Sequence, residues 1–92
     1  MKAAVLLFPL LLLAAPAGAA CYADYKAKQD DPLRLHYGVA EIRGACTIGA
    51  AEGELRPRLA QGGWELLTIL GLFDDSGLGE RRDNAGRFYL RY

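Results

Sequence analysis

The chain has 92 residues, with 11 Lys and Arg against 11 Asp and Glu, one histidine and two cysteines. This balance excludes the basic footprint of a nucleic-acid-binding protein and the acidic tail that recruits a cationic partner. The length allows one domain, close to the lower limit for a self-sufficient core.

The chain opens on Lys2, an uncharged aliphatic run over residues 3–15, Pro16, and the small residues Ala17, Gly18, Ala19 and Ala20. A positive charge, an apolar stretch and small residues, in that order, are the pattern of a secretory signal peptide, and Ala17-Gly18-Ala19 fits the cleavage signature. We therefore expect residues 1–20 to be a signal peptide and residues 21–92 to form one small exported domain, periplasmic or secreted. Loss of Lys2 leaves it one net negative charge. Two other readings would hold the protein at a membrane. The uncharged stretch is just long enough to span a bilayer, although Pro9 and Pro16 interrupt it and no cationic stop-transfer cluster follows. Cys21 is also a candidate for lipidation, although Gly18 stands where bacterial lipoprotein signals usually place Leu.

Cys21 and Cys46 are an even pair in an oxidising compartment, for which a disulfide is the expectation. It would close a loop of about 25 residues, which chain entropy values at roughly 3.5 kcal/mol. Two cysteines and a lone His36 lack the ligand spacing of a zinc site, and no cofactor is expected.

Residues 21–28 alternate, with Cys21, Ala23, Tyr25 and Ala27 on one face and Tyr22, Asp24, Lys26 and Lys28 on the other, as in a half-buried strand. Residues 29–32, Gln-Asp-Asp-Pro, are turn chemistry. Residues 33–42 alternate again, Leu33, Leu35, Tyr37 and Val39 against Arg34, His36, Gly38 and Ala40. This predicts an antiparallel hairpin with Gly38 as a candidate bulge. Thr47 is a candidate N-cap. Ile48, Ala51, Leu55 and Leu59 then recur at helical spacing. Pro57 predicts a kink, or a break near residues 53–56, from its solvent side. Gly62-Gly63 supplies a helix terminator.

Residues 64–73 are the most apolar run and barely alternate, which predicts a central strand covered on both faces. Residues 74–86, rich in Asp, Gly, Ser and Asn, read as an exposed, mobile loop. Residues 87–92 alternate strictly and predict a last strand. The expected fold is thus α+β: a four-stranded, mainly antiparallel β-β-α-β-β sheet with one helix on one face.

From Leu55 to Tyr92, the amphipathic helix, the run Gln61-Gly62-Gly63-Trp64-Glu65-Leu66-Leu67, the polar loop and the closing Phe88-Tyr89-Leu90-Arg91-Tyr92 together resemble the small uncharacterised domain family DUF4177. That family's pattern is a helix ending in Gly-Trp-Glu-Leu followed by a strand pair, and its first strand would match Leu35 to Ile42. The resemblance covers about half of the chain beyond residue 20. It implies the β-α-β-β portion of the fold, but no activity and no catalytic residues. An indole covering the end of the core as the chain reverses also explains Trp64 physically.

No catalytic constellation stands out. His36 would need a nucleophile or an orienting carboxylate within reach. The single serine, Ser76, sits in the polar segment. Asp30-Asp31 and Asp74-Asp75 are adjacent pairs, which seldom converge on one ligand, and they lack the alternation of a calcium loop. Gly77 and Gly79 lack a phosphate-loop context, and Arg81-Arg82 is too small a basic spot for nucleic acid. The residues that suggest a role are Tyr22, Leu67, Ile69 and Tyr89. If one helix covers one face of the sheet, these would share the other as an apolar partner surface. The expected function is a non-enzymatic interaction or structural module of the cell envelope, self-associating or holding another envelope protein. The alternative is a small-ligand-binding protein or enzyme with a pocket near His36.

Overall fold

The computed structural model describes residues 20–91; all but the last residue of the expected signal peptide at residues 1–20, and Tyr92, lie outside them. The fold is α+β. Strands β1 (Cys21–Gln29), β2 (Arg34–Ile42) and β3 (Glu65–Phe73) form an antiparallel sheet in the order β2-β1-β3. Helix α1 (Ile48–Gln61) joins β2 to β3, and a short α2 (Gly79–Ala85) lies between 3-10 turns at Asp75–Gly77 and Gly86–Phe88.

The β1–β2 hairpin pairs without interruption from Cys21 opposite Ile42 to Gln29 opposite Arg34. Gly38 is therefore not a bulge. It lies opposite Tyr25, whose ring crosses it so closely that a Cβ there would stand 2.4 Å from the hydroxyl oxygen. Glycine at this position lets an aromatic ring lie across the neighbouring strand.

Alternation puts Cys21, Ala23, Tyr25 and Ala27 on one face, beside the β2 partners Ile42, Ala40, Gly38 and His36. This is the core face. The small residues of β2 turn inward, and Leu35 is left 65% exposed. Helix α1 sets Ala51, Leu55 and Leu59 into this layer with Leu66 and Ile69. Burying a Leu or Ile side chain is worth about 1.5–3 kcal/mol.

Thr47 is the N-cap of α1, its hydroxyl oxygen accepting from the Ala50 N–H at 3.2 Å. Pro57 is exposed, and the helix continues through it without the expected break. The N–H groups of Gly62 and Trp64 both bond the Leu59 carbonyl, and Gly63 takes the left-handed conformation at φ 84°. Only glycine does so at little cost. The Cys21–Cys46 disulfide joins the start of β1 to the residue before the helix cap, with the two Cα atoms 5.9 Å apart.

Three further expectations are corrected. β3 is an edge strand, not a central one. Its irregular pattern comes from two bulges. Tyr25 pairs with Ile69 directly after Asp24 pairs with Gly71, and Ala27 pairs with Leu66 directly after Lys26 pairs with Thr68. Leu70 and Leu67 thus have no partner opposite, and each bulge reverses the parity of the strand.

Residues 74–86 form a 3-10 turn and a helix instead of an irregular loop. Asp74 starts the turn by accepting from the Ser76 N–H at 3.0 Å. The fourth strand is reduced to a 3-10 turn and a single parallel bridge, Val39 to Tyr89, with the Leu90 N–H donating to the Val39 carbonyl at 2.8 Å.

Candidate functional site

Two features of the described residues stand apart from the core: an aromatic corner at the end of β2, and the outer side of β3.

The corner is built on His36. Core-face parity on β2 turns its side chain inward, where Tyr25 reaches across Gly38 to meet it. The Tyr25 hydroxyl and His36 Nε2 share a hydrogen bond of 3.0 Å. The Trp64 indole packs edge-on to the imidazole at 4.3 Å, and the Phe88 ring stacks flat on it at 3.6 Å. Trp64 is delivered by the glycine stop after α1. Phe88 is delivered by the turn after α2, where Gly86 has φ 54°.

Burial, with the positive charge of Arg87 adding to it, lowers the His36 pKa to about 4. Burial also pushes Tyr25 up to about 12. Both groups are therefore neutral near pH 7. His36 Nδ1 is buried without a hydrogen-bond partner among the described residues. Among the described residues the imidazole is thus bonded by a tyrosine on one nitrogen and by no carboxylate on the other.

Outside this corner, Gly62, Trp64, Arg87, Phe88 and Arg91 line a concavity of about 340 Å³. Two aromatic residues and two arginines thus line it. His36 lies behind the Phe88 wall and does not line it. Among the described residues Arg87 and Arg91 form no ion pair, and Arg87 stands over the Phe88 ring at 5.1 Å.

The four residues expected to share a partner surface are distributed differently. Ile69 is buried in the core under α1. Tyr22 stacks on Phe73 at 5.9 Å, and its pKa is raised chiefly by the hydrogen bond to Asp75. Tyr89 is half-buried, with the Arg82 guanidinium over its ring at 5.3 Å. Leu67 is 47% exposed at a bulge, and Leu70, at the other bulge, is 50% exposed. The second face of the sheet is also partly covered by α2. Arg81 donates from Nε to Asp24 Oδ2 at 3.1 Å, the Tyr37 hydroxyl donates to the same oxygen at 2.9 Å, and the Arg81 guanidinium lies 4.0 Å over the Phe73 ring.

Acidic side chains are absorbed in the same structural way. Asp30 pairs with Lys28, and Asp74 holds Ser76. Burial alone would raise the pKa of Glu54, but N–H donors from Arg43 and Gly44 and the charges of Arg58 and Arg43 hold it below the usual range. Among the described residues no three metal-binding side chains come together, and no helix is long and apolar enough to cross a membrane.

No family model, curated protein or solved structure matches the chain. The resemblance at Leu55 to Tyr92 therefore rests on its own motif.

Sequence reasoning named Trp64 only as a core cover and did not single out Arg87, Phe88 or Arg91 as a group. Their signal was local. Glu80 in a first turn and Gly86 after Ala85 mark the ends of a short helix, and a helix there turns the tail back toward α1.

Proposed function

We propose that this protein is an exported, disulfide-stapled interaction module of the cell envelope, without catalytic activity, that takes up an extended strand along the outer edge of β3. The observation that carries this reading is β3 itself. It is a nine-residue strand paired on one side only among the described residues, with half-exposed leucines at both of its bulges. Unpaired edges template the addition of another strand, and exposed apolar side chains beside them add affinity. The disulfide fits an oxidising compartment, which agrees with residues 1–20 acting as an export signal. A DUF4177-like ancestry would account for the β-α-β-β part. Among the described residues His36 is bonded only to the Tyr25 hydroxyl, which burial holds protonated, and this supports a non-enzymatic role.

The added strand comes from a second copy of this chain or from another envelope protein. Sedimentation equilibrium over a hundredfold range of concentration, with pull-down from envelope extract, tests both. The wild type is expected to associate or to capture a partner, and Leu67→Lys/Leu70→Lys is expected to do neither. Indistinguishable behaviour of the two proteins in both measurements would remove β3 as the contact.

A further inference from the structure

We propose that the concavity between Trp64 and Phe88 binds a small organic acid with a planar apolar body, its carboxylate held by Arg87 and Arg91. The site is independent of the β3 edge, because neither Leu67 nor Leu70 lines it.

The chemistry follows from the four side chains. Arg87 and Arg91 both line the concavity and form no ion pair among the described residues, and a guanidinium offers forked donors whose geometry matches a carboxylate. The remaining wall is the indole of Trp64 and the ring of Phe88, 5.6 Å apart between centroids and nearly perpendicular at 76°. His36 covers one face of the Phe88 ring, so a flat group enters this corner against its other face or against the indole. At about 340 Å³ the space lies at the small end of ligand sites. The wall is also held in place from behind. Phe88 stacks on the buried imidazole, and Trp64 packs nearly perpendicular to it. His36, itself only 8% exposed, therefore acts as a backing plate that fixes both rings before any ligand arrives. A preset wall lowers the ordering cost of binding. Arg87 and Arg91 are exposed and carry no part of the core, so in this reading their placement serves the ligand.

Trp64 is the sole tryptophan, so its emission reports on this wall and nowhere else. The disulfide-bonded protein would be titrated with phenylacetate, with phenylacetamide, with inorganic phosphate and with the tripeptide Gly-Gly-Phe, at pH 7. Phenylacetate is expected to change Trp64 emission saturably. Phenylacetamide, the same body without charge, is expected to bind about tenfold more weakly, the loss of one charge-assisted pair. Arg87→Gln/Arg91→Gln should remove that preference while circular dichroism and melting stay unchanged. Equal binding of acid and amide, or an unchanged preference in the double variant, overturns the role of the arginines. Phosphate binding as tightly as phenylacetate overturns the role of the aromatic wall. Saturation by the tripeptide alone overturns the assignment to a free acid in favour of a peptide terminus.

Discussion

Under α1 the sheet is closed by aliphatic side chains and a cystine, whereas on its other face α2 is held by a salt bridge and a phenol. Ala51, Leu55 and Leu59 meet Ala23, Ala27, Ala40, Ile42 and Leu66 in one contiguous layer. On the second face the buried residues near α2, among those described, are Val39, Ala85, Gly77 and Asp24, and the fastening is Arg81 to Asp24 to Tyr37. Asp24 Oδ1 is buried there without a hydrogen-bond partner among the described residues. The first face is stabilised by burial, which is non-directional and tolerant. The second depends on one guanidinium reaching a carboxylate 57 residues away in sequence, and loses its closure with a single substitution.

The largest effect should come from the α1 face. Replacing both cysteines, Cys21→Ser/Cys46→Ser, releases a loop of 25 residues in the unfolded chain. We expect a loss of about 3.5 kcal/mol in urea unfolding. The folded protein should retain α1, because its apolar contacts remain. A loss below about 1 kcal/mol would show that the cystine adds little to a layer already closed by burial.

The second face should respond locally. Arg81→Ala leaves Asp24 89% buried in its side chain without its ion-pair partner, a loss of about 2–3 kcal/mol for a pair of this partial exposure. Amide exchange is the measurement that separates the faces. Protection should fall across Gly79–Ala85 and at the Leu90 N–H, while Leu55 and Leu59 on α1 keep theirs. A uniform fall across the whole chain would mean that the two faces unfold as one unit.

The same contrast explains which parts of the fold could be read from the residues. β1, β2 and α1 follow from apolar periodicity, and the cap at Thr47 from its hydroxyl. β1 and α1 bury the apolar positions Ala23, Tyr25, Ala27, Ala51, Leu55 and Leu59 that the pattern marks, whereas the β2 run leaves Leu33 and Leu35 exposed and buries the opposite set. The strand expected to be central fails this rule because Leu67 and Leu70 each add a residue to the pattern without a partner opposite, so parity is lost twice within four residues. Helix α2 fails it too. Its sequence, Gly-Glu-Arg-Arg-Asp-Asn-Ala, carries no apolar stripe, and it is held by a polar contact that no local pattern announces. The inward face of β2 was read as an alternation, but its direction was not. Gly38 and Ala40 turn inward because Tyr25 and α1 already fill that space, a tertiary fact. For the concavity, Glu80 and Gly86 mark the ends of α2, but the meeting of Phe88 with Trp64 after the chain reverses is again a tertiary fact.

His36 belongs to neither regime, and pH distinguishes it from both. It sits on the aliphatic face as a polar group, bonded to Tyr25 on one nitrogen only. Burial, reinforced by Arg87, places its folded pKa at about 4 against 6.5 when unfolded. The unfolded chain therefore takes up the proton first as pH falls. The stability that depends on neutral His36 is fully present above pH 6.5, is lost progressively between pH 6.5 and 4, and changes no further below that. The total is about 2 kcal/mol, a reduced figure because the corner borders solvent at the concavity. Carboxylates titrate mainly in the lower part of this window, so the interval from pH 6.5 to 5 isolates the imidazole. Urea midpoints should fall steadily across that interval in the wild type. In His36→Gln, which keeps a polar partner for Tyr25 but cannot titrate, they should be flat. A wild-type midpoint that holds level down to pH 5 would mean that the imidazole takes up its proton in the folded state as easily as in the unfolded chain. The sealed stack of Tyr25, Trp64 and Phe88 around it would then have to be far looser than the distances of 3.0, 4.3 and 3.6 Å indicate.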